Sequence, residues 1–490
     1  MPQLPPQEYT SVGSGLITKS AVSKYKLPLD SVVLAVNMHF DKIGSATLRK
    51  GVTQLGNTIS STDILGLHNF RDSGTGTNDK IVAVNGTAAY YLNSATWTSK
   101  REGLTNGKKA RFTTFLDFEW MVNGSEATAI WNGDPVSNFS TGGNASGAPI
   151  GKFVENFRSR VWILGNDTYP DRVWYSSLPS AATTPVITWD TDVATGDWID
   201  ISPSDGENIT GGKRTKRALL VFKQNHIYRI YSINETEPDP SINVGTYSHE
   251  SIVEAKDGGT YFHHPTGFYG YSDGGVQEIS KPIKDIVEAI ALSEYENIAG
   301  WIESGGDAVC WSIGDVTIYD NVTITNAVVR YTISTQSWTL YSYATRPLVG
   351  IIYENSSSDA SEAVWGNSAG QIMRHNIGND DAGTPVRYEI IHRPYLVDGL
   401  NATEKNIENV MFIHDGGGSD TSIQWQKEND LESDWTKSLG SLNDRNTLFP
   451  NADIRCNEVT FRASGVSSGE PFTYYGFEII DSDSTVNYAK

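Results

Sequence analysis

The chain of 490 residues holds two cysteines, Cys310 and Cys456, and five methionines. Two thiols so far apart exclude a disulfide framework and a Cys-x-x-Cys metal knuckle. Cys310, inside Ala308-Val309-Cys310-Trp311, reads as a small core residue. Scarce methionine argues against a helical, Met-rich docking surface. No stretch approaches the ~18 apolar residues of a membrane span. The opening Met1-Pro2-Gln3-Leu4-Pro5-Pro6 lacks the charged and apolar regions of a secretion signal, so neither a span nor a leader is expected. The Asn-x-Ser/Thr triplets at Asn85, Asn123, Asn166, Asn234 and Asn321 then read as turns, not glycosylation sites.

Positive charge is also short. Thirty-eight Lys and Arg stand against 58 Asp and Glu, a net charge of −20. That field disfavours broad wrapping of nucleic acid, which needs clustered cations to neutralise phosphates. The two basic stretches, Lys108-Lys109-Ala110-Arg111 and Lys213-Arg214-Thr215-Lys216-Arg217, read as solvated turns rather than phosphate contacts.

Catalytic and metal signatures are missing as well. No HxH, HExxH or GxSxG spacing occurs. His263 and His264 are adjacent and, in a strand, point to opposite faces. The other histidines, among them His39, His68, His226, His375, His392 and His414, stand singly. Asp415-Gly416-Gly417-Gly418 reads as a turn between strands, with no following helix to make a phosphate loop. Asn379-Asp380-Asp381 is a weakly specified calcium ligand set. The Asp box of sialidases, the WD dipeptide and the kelch double glycine do not recur.

What is present is a loose period. Tyr90, Trp131, Trp174, Tyr228, Tyr269, Trp311 and Trp365 recur at intervals of 41 to 54 residues, within strand–turn–strand units such as Arg160–Leu164 followed by Val173–Tyr175. A strand-and-turn period of roughly 40 residues is the mark of a β-propeller blade. The 46 glycines suit its recurrent turns. Residues 259–280 form the clearest meander, with Pro265-Thr266-Gly267 and Ser272-Asp273-Gly274-Gly275 as turns. Residues 118–131 turn at Asn123-Gly124, and residues 217–231 at Lys223-Gln224-Asn225.

The reading is an all-β chain. Residues 1–30 form an N-terminal arm, and 31–397 a propeller of about seven blades. Residues 398–490 form a C-terminal antiparallel domain or closing blade, where the period is lost. A β-sandwich tandem is the structural alternative. The apolar run Ser31–Asn37 is expected to complete the last blade, which removes an exposed sheet edge. Ile283, Ile286, Val287 and Ile290, at i, i+3, i+4 and i+7 after Pro282, predict one amphipathic helix whose stripe is core.

Propellers also carry glycosidase acids at their axis. Acids inside apolar strands are Asp117 and Glu119 in FLDFEW, Glu389 and Glu478, and strict alternation would put Asp117 and Glu119 on one face. Their blander reading is a polar strand face. Trp120, Trp189, Trp198 and Trp435 could stack on sugars if exposed, though most are expected in the core.

Several segments together resemble the propeller-bearing nozzle or hub proteins of short-tailed bacteriophages. They are residues 36–55 (VNMHFDKIGSATLRKGVTQL), ILGLHNFR at 64–71 and DKIVAVNGTAAYYLNSATW at 79–97. With them go EISKPIKDIVEAI, NAVVRYTISTQSWTLYSY at 326–343 and EPFTYYGFEII at 470–480. The resemblance implies a non-enzymatic structural virion protein of the phage tail, assembled in the host cytoplasm. It further implies a homo-oligomeric ring around the DNA conduit, contacting adaptor, fibre or needle proteins. It brings no catalytic, cofactor-binding or metal residue, and no named partner-binding residue. An acidic conduit would let DNA pass without specific binding. The alternatives are a glycan-binding or glycan-cleaving propeller and a cellular scaffold.

Overall fold

The computed structural model describes residues 7–9, 11–18, 27–73, 79–238, 243–272, 275–318, 322–355, 360–396, 404–416, 420–427, 435–443, 445–467 and 471–485. Half of the expected arm, the expected boundary at 397/398, and the turn residues Asp273-Gly274 and Gly417-Gly418 lie outside them.

Strand follows strand by short turns, and each hairpin pairs antiparallel. The first blade runs Ile64–Phe70, Lys80–Asn85, Ala88–Asn93 and Thr96–Arg101, and the second Arg111–Phe115, Phe118–Val122 and Ala129–Trp131. The third comprises Phe153–Phe157, Arg160–Leu164, Arg172–Tyr175 and Trp198–Asp200, and the fourth Gly211–Arg214, Leu219–Phe222, Ile227–Ser232 and Glu235–Pro238. The fifth spans Val253–Glu254, Thr260–His264, Gly267–Ser272 and Gly275–Glu278. The sixth spans Ala299–Ile302, Ala308–Ile318, Val322–Thr332 and Ser337–Ser342, and the seventh begins with Pro347–Asn355, Ala360–Asn367 and Ile372–His375. The first strand of the seventh blade packs on that of the first, so the sheets close into a propeller. Glycines permit this approach: a Cβ on Gly350 would stand 2.6 Å from the Trp301 Cβ, and one on Gly66 2.5 Å from the Ala110 carbonyl oxygen.

The closing strand is not the expected one. Val52–Gln54 completes the seventh blade, with Met373, Arg374 and His375 opposite Gln54, Thr53 and Val52. Ser31–Val36 instead lies between Ser337–Ser342 of the sixth blade, in parallel, and Arg387–His392, antiparallel. Its six residues are all buried because both faces are covered. Val32 and Ala35 face one core, and Val33, Leu34 and Val36 the core of the sixth blade.

Beyond Arg387–His392 the same sheet continues through Val459–Val466, Thr421–Lys427 and Lys437–Ser441. A second sheet, ordered Arg445–Cys456, Glu404–Asp415, Thr473–Thr485, Ala46–Leu48 and Met38–His39, packs over it, and Gln7–Tyr9 adds to Thr473–Thr485. Phe412, Phe461, Phe477 and Tyr474 fill the space between the two sheets. This sandwich therefore recruits strands that the sequence reading gave to the arm and the propeller.

The helix is shorter than its apolar stripe suggests. A 3-10 turn, Lys281–Ile283, leads into an α-helix of six residues, Lys284–Ala289, which stops where Ile290 becomes extended. Ile283, Ile286, Val287 and Ile290 all enter the core of the sixth blade. Of the seven periodic aromatics, five sit on third strands of their blades, whereas Trp311 and Trp365 sit on second strands. Among the described residues no helix is long and apolar enough to cross a membrane.

Candidate functional site: the axial channel

The first strands converge on the propeller axis and line a cavity of about 560 Å³. It opens into a second hollow of about 580 Å³ at one mouth, the two sharing Asn156, Arg214 and Glu254. Both basic stretches reach this axis, the outcome that reading them as solvated turns had not anticipated.

Charge along the wall is largely matched. Glu250, in the short turn His249–Ser251, receives Lys109 Nζ at 3.2 Å and Arg111 Nη2 at 2.7 Å. Burial alone would raise its carboxyl, but Arg111 and Lys109 outweigh burial and hold it well below the usual carboxylate range. Neighbouring His249 lies tilted against Phe153, centroids 5.0 Å apart, and accepts the Gly212 N–H through Nδ1 at 3.3 Å. Burial lowers its pKa to about 3, so its ring is neutral.

A second pair stands on the wall of blades one and two. His68 Nδ1 lies 2.8 and 2.9 Å from the two oxygens of Glu119, which is fully buried. Burial pushes the Glu119 carboxyl upward, and the His68 ring and Thr114 hydroxyl oppose it. The imidazole lies parallel to Phe112, centroids 5.9 Å apart. A carboxylate-fixed histidine of this kind presents its second nitrogen in a set direction.

A third group is looser. Lys213 Nζ stands 4.0 Å from a Glu155 oxygen, and Arg214 Nη1 donates to the Asn156 side-chain oxygen. Asn156 is itself anchored by donating to the Thr114 carbonyl at 2.5 Å. Burial raises the Glu155 carboxyl, with Lys213 and Arg214 pulling it down and Glu254 pushing it up.

The acids expected from sequence do not gather here. FLDFEW is a hairpin rather than one strand: Phe115 pairs with Phe118, and Leu116 and Asp117 form its turn at φ +52° and +57°. Asp117 therefore leaves Glu119 and accepts from Ser73 N at 2.7 Å and Oγ at 2.9 Å. Glu389 pairs with Arg462 at 2.7 Å in the sandwich, and Glu478 lies on the other sandwich sheet opposite Met411. Asp380 and Asp381 sit in a short hairpin, where Asp381 takes the buried Arg49. The sugar-stacking candidates are engaged too. Trp120 is buried against Trp189, Trp198 lies under Arg172 at 3.5 Å, and Trp435 lies 5.5 Å from Arg462.

One cluster offers metal-ligand chemistry that sequence spacing hid. Ligand atoms of Glu303, Cys310 and His375, all buried, lie within 4.8 Å of one another. However, Arg330 donates to both Glu303 oxygens at 2.8 and 2.9 Å and to Asp41 at 2.8 Å. His375 Nε2 stands 3.1 Å from Glu303, and burial pushes the Cys310 thiol well up. The guanidinium occupies the place a cation would need, so these residues do not fit a metal. They form an ion network that pins Asp41 to the sixth and seventh blades.

No protein-family model matches the sequence, and no curated protein matches it. Solved structures similar to the chain include U3-55K (9% identity, 67% of this chain and 100% of that one, TM-score 0.40). A chain of the Mitotic Checkpoint Complex is similar at 9% identity, over 67% and 95%, with a TM-score of 0.41. YCF48 from Cyanidioschyzon merolae is similar at 9%, over 66% and 98%, with 0.40. Likeness at this level carries no argument, and the fold rests on the strand pairing above.

Proposed function

We propose that the chain is a non-enzymatic structural protein of a short phage tail, of the nozzle or hub kind. It forms a homo-oligomeric ring and meets adaptor, fibre or needle proteins in the virion. The observation that supports this reading most is the fusion of propeller and sandwich. The sixth blade runs without a break into a sandwich built from residues on both sides of the propeller. A continuous sheet joins the two parts of the subunit, and a closed ring then needs heterologous contacts between such subunits. The resemblance of residues 36–55, 64–71, 79–97 and 326–343 to tail proteins supports this class. A cavity of about 560 Å³ is the size of a small-molecule site, so duplex DNA would pass between subunits and not along a propeller axis. Electron microscopy of the purified protein, alone and with candidate tail components, tests it. Rings with a central channel support the reading; monomers that never associate with tail components refute it.

The glycan reading is weaker. Asp117 and Glu119 have separate partners, and the candidate tryptophans are packed or covered by arginines.

A further inference from the structure

We propose that the axial channel is a binding site for a small phosphate or phosphomonoester, gripped by Lys213, Arg214 and His68. The first observation is the cavity, whose size suits a small ligand and which opens at one mouth. The second is the way the wall's charge is shared out. Glu250 is committed to Lys109 and Arg111 through contacts of 2.7 to 3.2 Å, which leaves that side closed. Lys213 has only the 4.0 Å approach to Glu155, and Arg214 only the Asn156 oxygen. In a chain of net charge −20, Lys213 and the more exposed Arg214 line the cavity with no carboxylate nearer than 4.0 Å.

The third observation is His68. Its Nδ1 is fixed on Glu119, and its Nε2 has no protein partner while the ring lines the channel. As an imidazolium it donates Nε2–H to a phosphate oxygen; as a neutral ring it accepts the proton of a phosphate hydroxyl. The Asn69 side-chain oxygen, also on the channel wall, is buried and receives no hydrogen bond. It is placed to accept from a phosphate O–H or a ligand hydroxyl. Guanidinium, ammonium and imidazole together are the donor set that phosphate oxygens select, through charge-assisted hydrogen bonds. A cation is disfavoured by Lys213 and Arg214, and a purely apolar ligand by the charged wall. Two acids oppose an anion at this end of the wall: Glu155 beside Lys213, and Glu254, which faces both cavities. At the mouth, Arg158 and Lys216 lie further out on the turns of blades three and four and steer an anion inward.

The test is titration of the full chain with inorganic phosphate and with glycerol phosphate. Heat and ³¹P line broadening are read at constant ionic strength, with chloride as control. Saturable binding is expected, weakened at least tenfold by Lys213→Met and by Arg214→Gln, and strengthened several-fold by Glu254→Gln. Thermal unfolding of each variant checks that it folds, and Glu254→Gln keeps the test decisive, because a gain of affinity cannot come from misfolding. Absence of saturable binding overturns the proposal. So does binding that Lys216→Ala abolishes while Lys213→Met leaves it intact, since that places the anion on the outer surface. Tighter binding of glycerol phosphate than of phosphate supports a phosphomonoester as the natural occupant; equal binding supports the free anion.

Discussion

Acid should unfold this protein well above the pH at which its carboxylates titrate. Five of its nine histidines are held neutral, chiefly by burial, with pKa values lowered to about 4 for His39 and His264 and about 3 for His249, His263 and His392. In the unfolded chain each would titrate near 6.5. A folded pKa below the unfolded one means that the unfolded state binds more protons. The stability these groups contribute is therefore complete above pH 6.5 and is lost as pH falls towards 4. Each histidine that stays neutral costs about 1.4 kcal/mol per pH unit in that window.

His263, His264 and His392 are at most 5% exposed, so the full figure applies to them. Together they remove about 6 kcal/mol between pH 8 and pH 5, a large part of the 5–15 kcal/mol that usually holds a fold. His39 and His249, reached by solvent in part, act in the same direction. Glu119 and Glu155 act in the opposite one, since their raised values favour proton uptake by the folded state. Glu250 and Glu303, both lowered, matter only below the ordinary glutamate range. Urea midpoints measured from pH 8 to 4.5 check this. His263→Phe is the control, because neither His263 ring nitrogen has a partner and the ring packs between Phe268 and Tyr295. The variant should be no less stable at pH 8 and should flatten the slope by about 1.4 kcal/mol per pH unit. A slope under about 1 kcal/mol per pH unit between pH 6 and 5, or an unchanged slope in His263→Phe, would refute the reasoning.

Arg330→Met should cost about 3–5 kcal/mol in urea unfolding, because it strands the buried Glu303 and releases Asp41. Gly350→Ala should cost about 1–3 kcal/mol, since its Cβ would press on the Trp301 Cβ at 2.6 Å. Ser159→Gly, at φ +58° in the turn Arg158-Ser159, should stabilise by about 1 kcal/mol, seen as a higher Tm. Propeller and sandwich should melt in one calorimetric transition, because Arg49, itself beside the closing strand, bonds Asn37 at 2.8 Å and pairs with Asp381. Two separated transitions would contradict that coupling.

The strands that sequence reading found were those bounded by glycine or asparagine turns, as in Asn123-Gly124 and Pro265-Thr266-Gly267. Turns without such residues were missed. Leu116-Asp117 and Arg158-Ser159 adopt positive φ at both positions, a conformation that costs a side chain energy and that no residue preference announces. That is why FLDFEW reads in sequence as one strand although it is a hairpin. The closing strand was missed for a different reason. Val52–Gln54 is three residues long with one fully buried side chain, too short for alternation to register. Ser31–Val36 drew attention because it is apolar throughout, yet that continuity marks a strand buried on both faces inside a larger sheet, not a blade edge.

The axial site was illegible because its residues come one or two from each blade. His68, Arg111, Glu155, Lys213 and Glu250 lie far apart in sequence and meet only when the ring closes. No local spacing can encode such a site, unlike a metal motif on one helix. One signal did exist. The period gives each blade a first strand, and a propeller's first strands face its axis, so a charged residue in RFTTF, FVENF or GGKR is a candidate axial group. A charge in an apolar strand does not by itself mark an axial group; its position within the period does. Repeat phase, more than residue type, separates Glu155 on the axis from Glu389 in the sandwich, and it is the phase that a sequence of this class should be read for first.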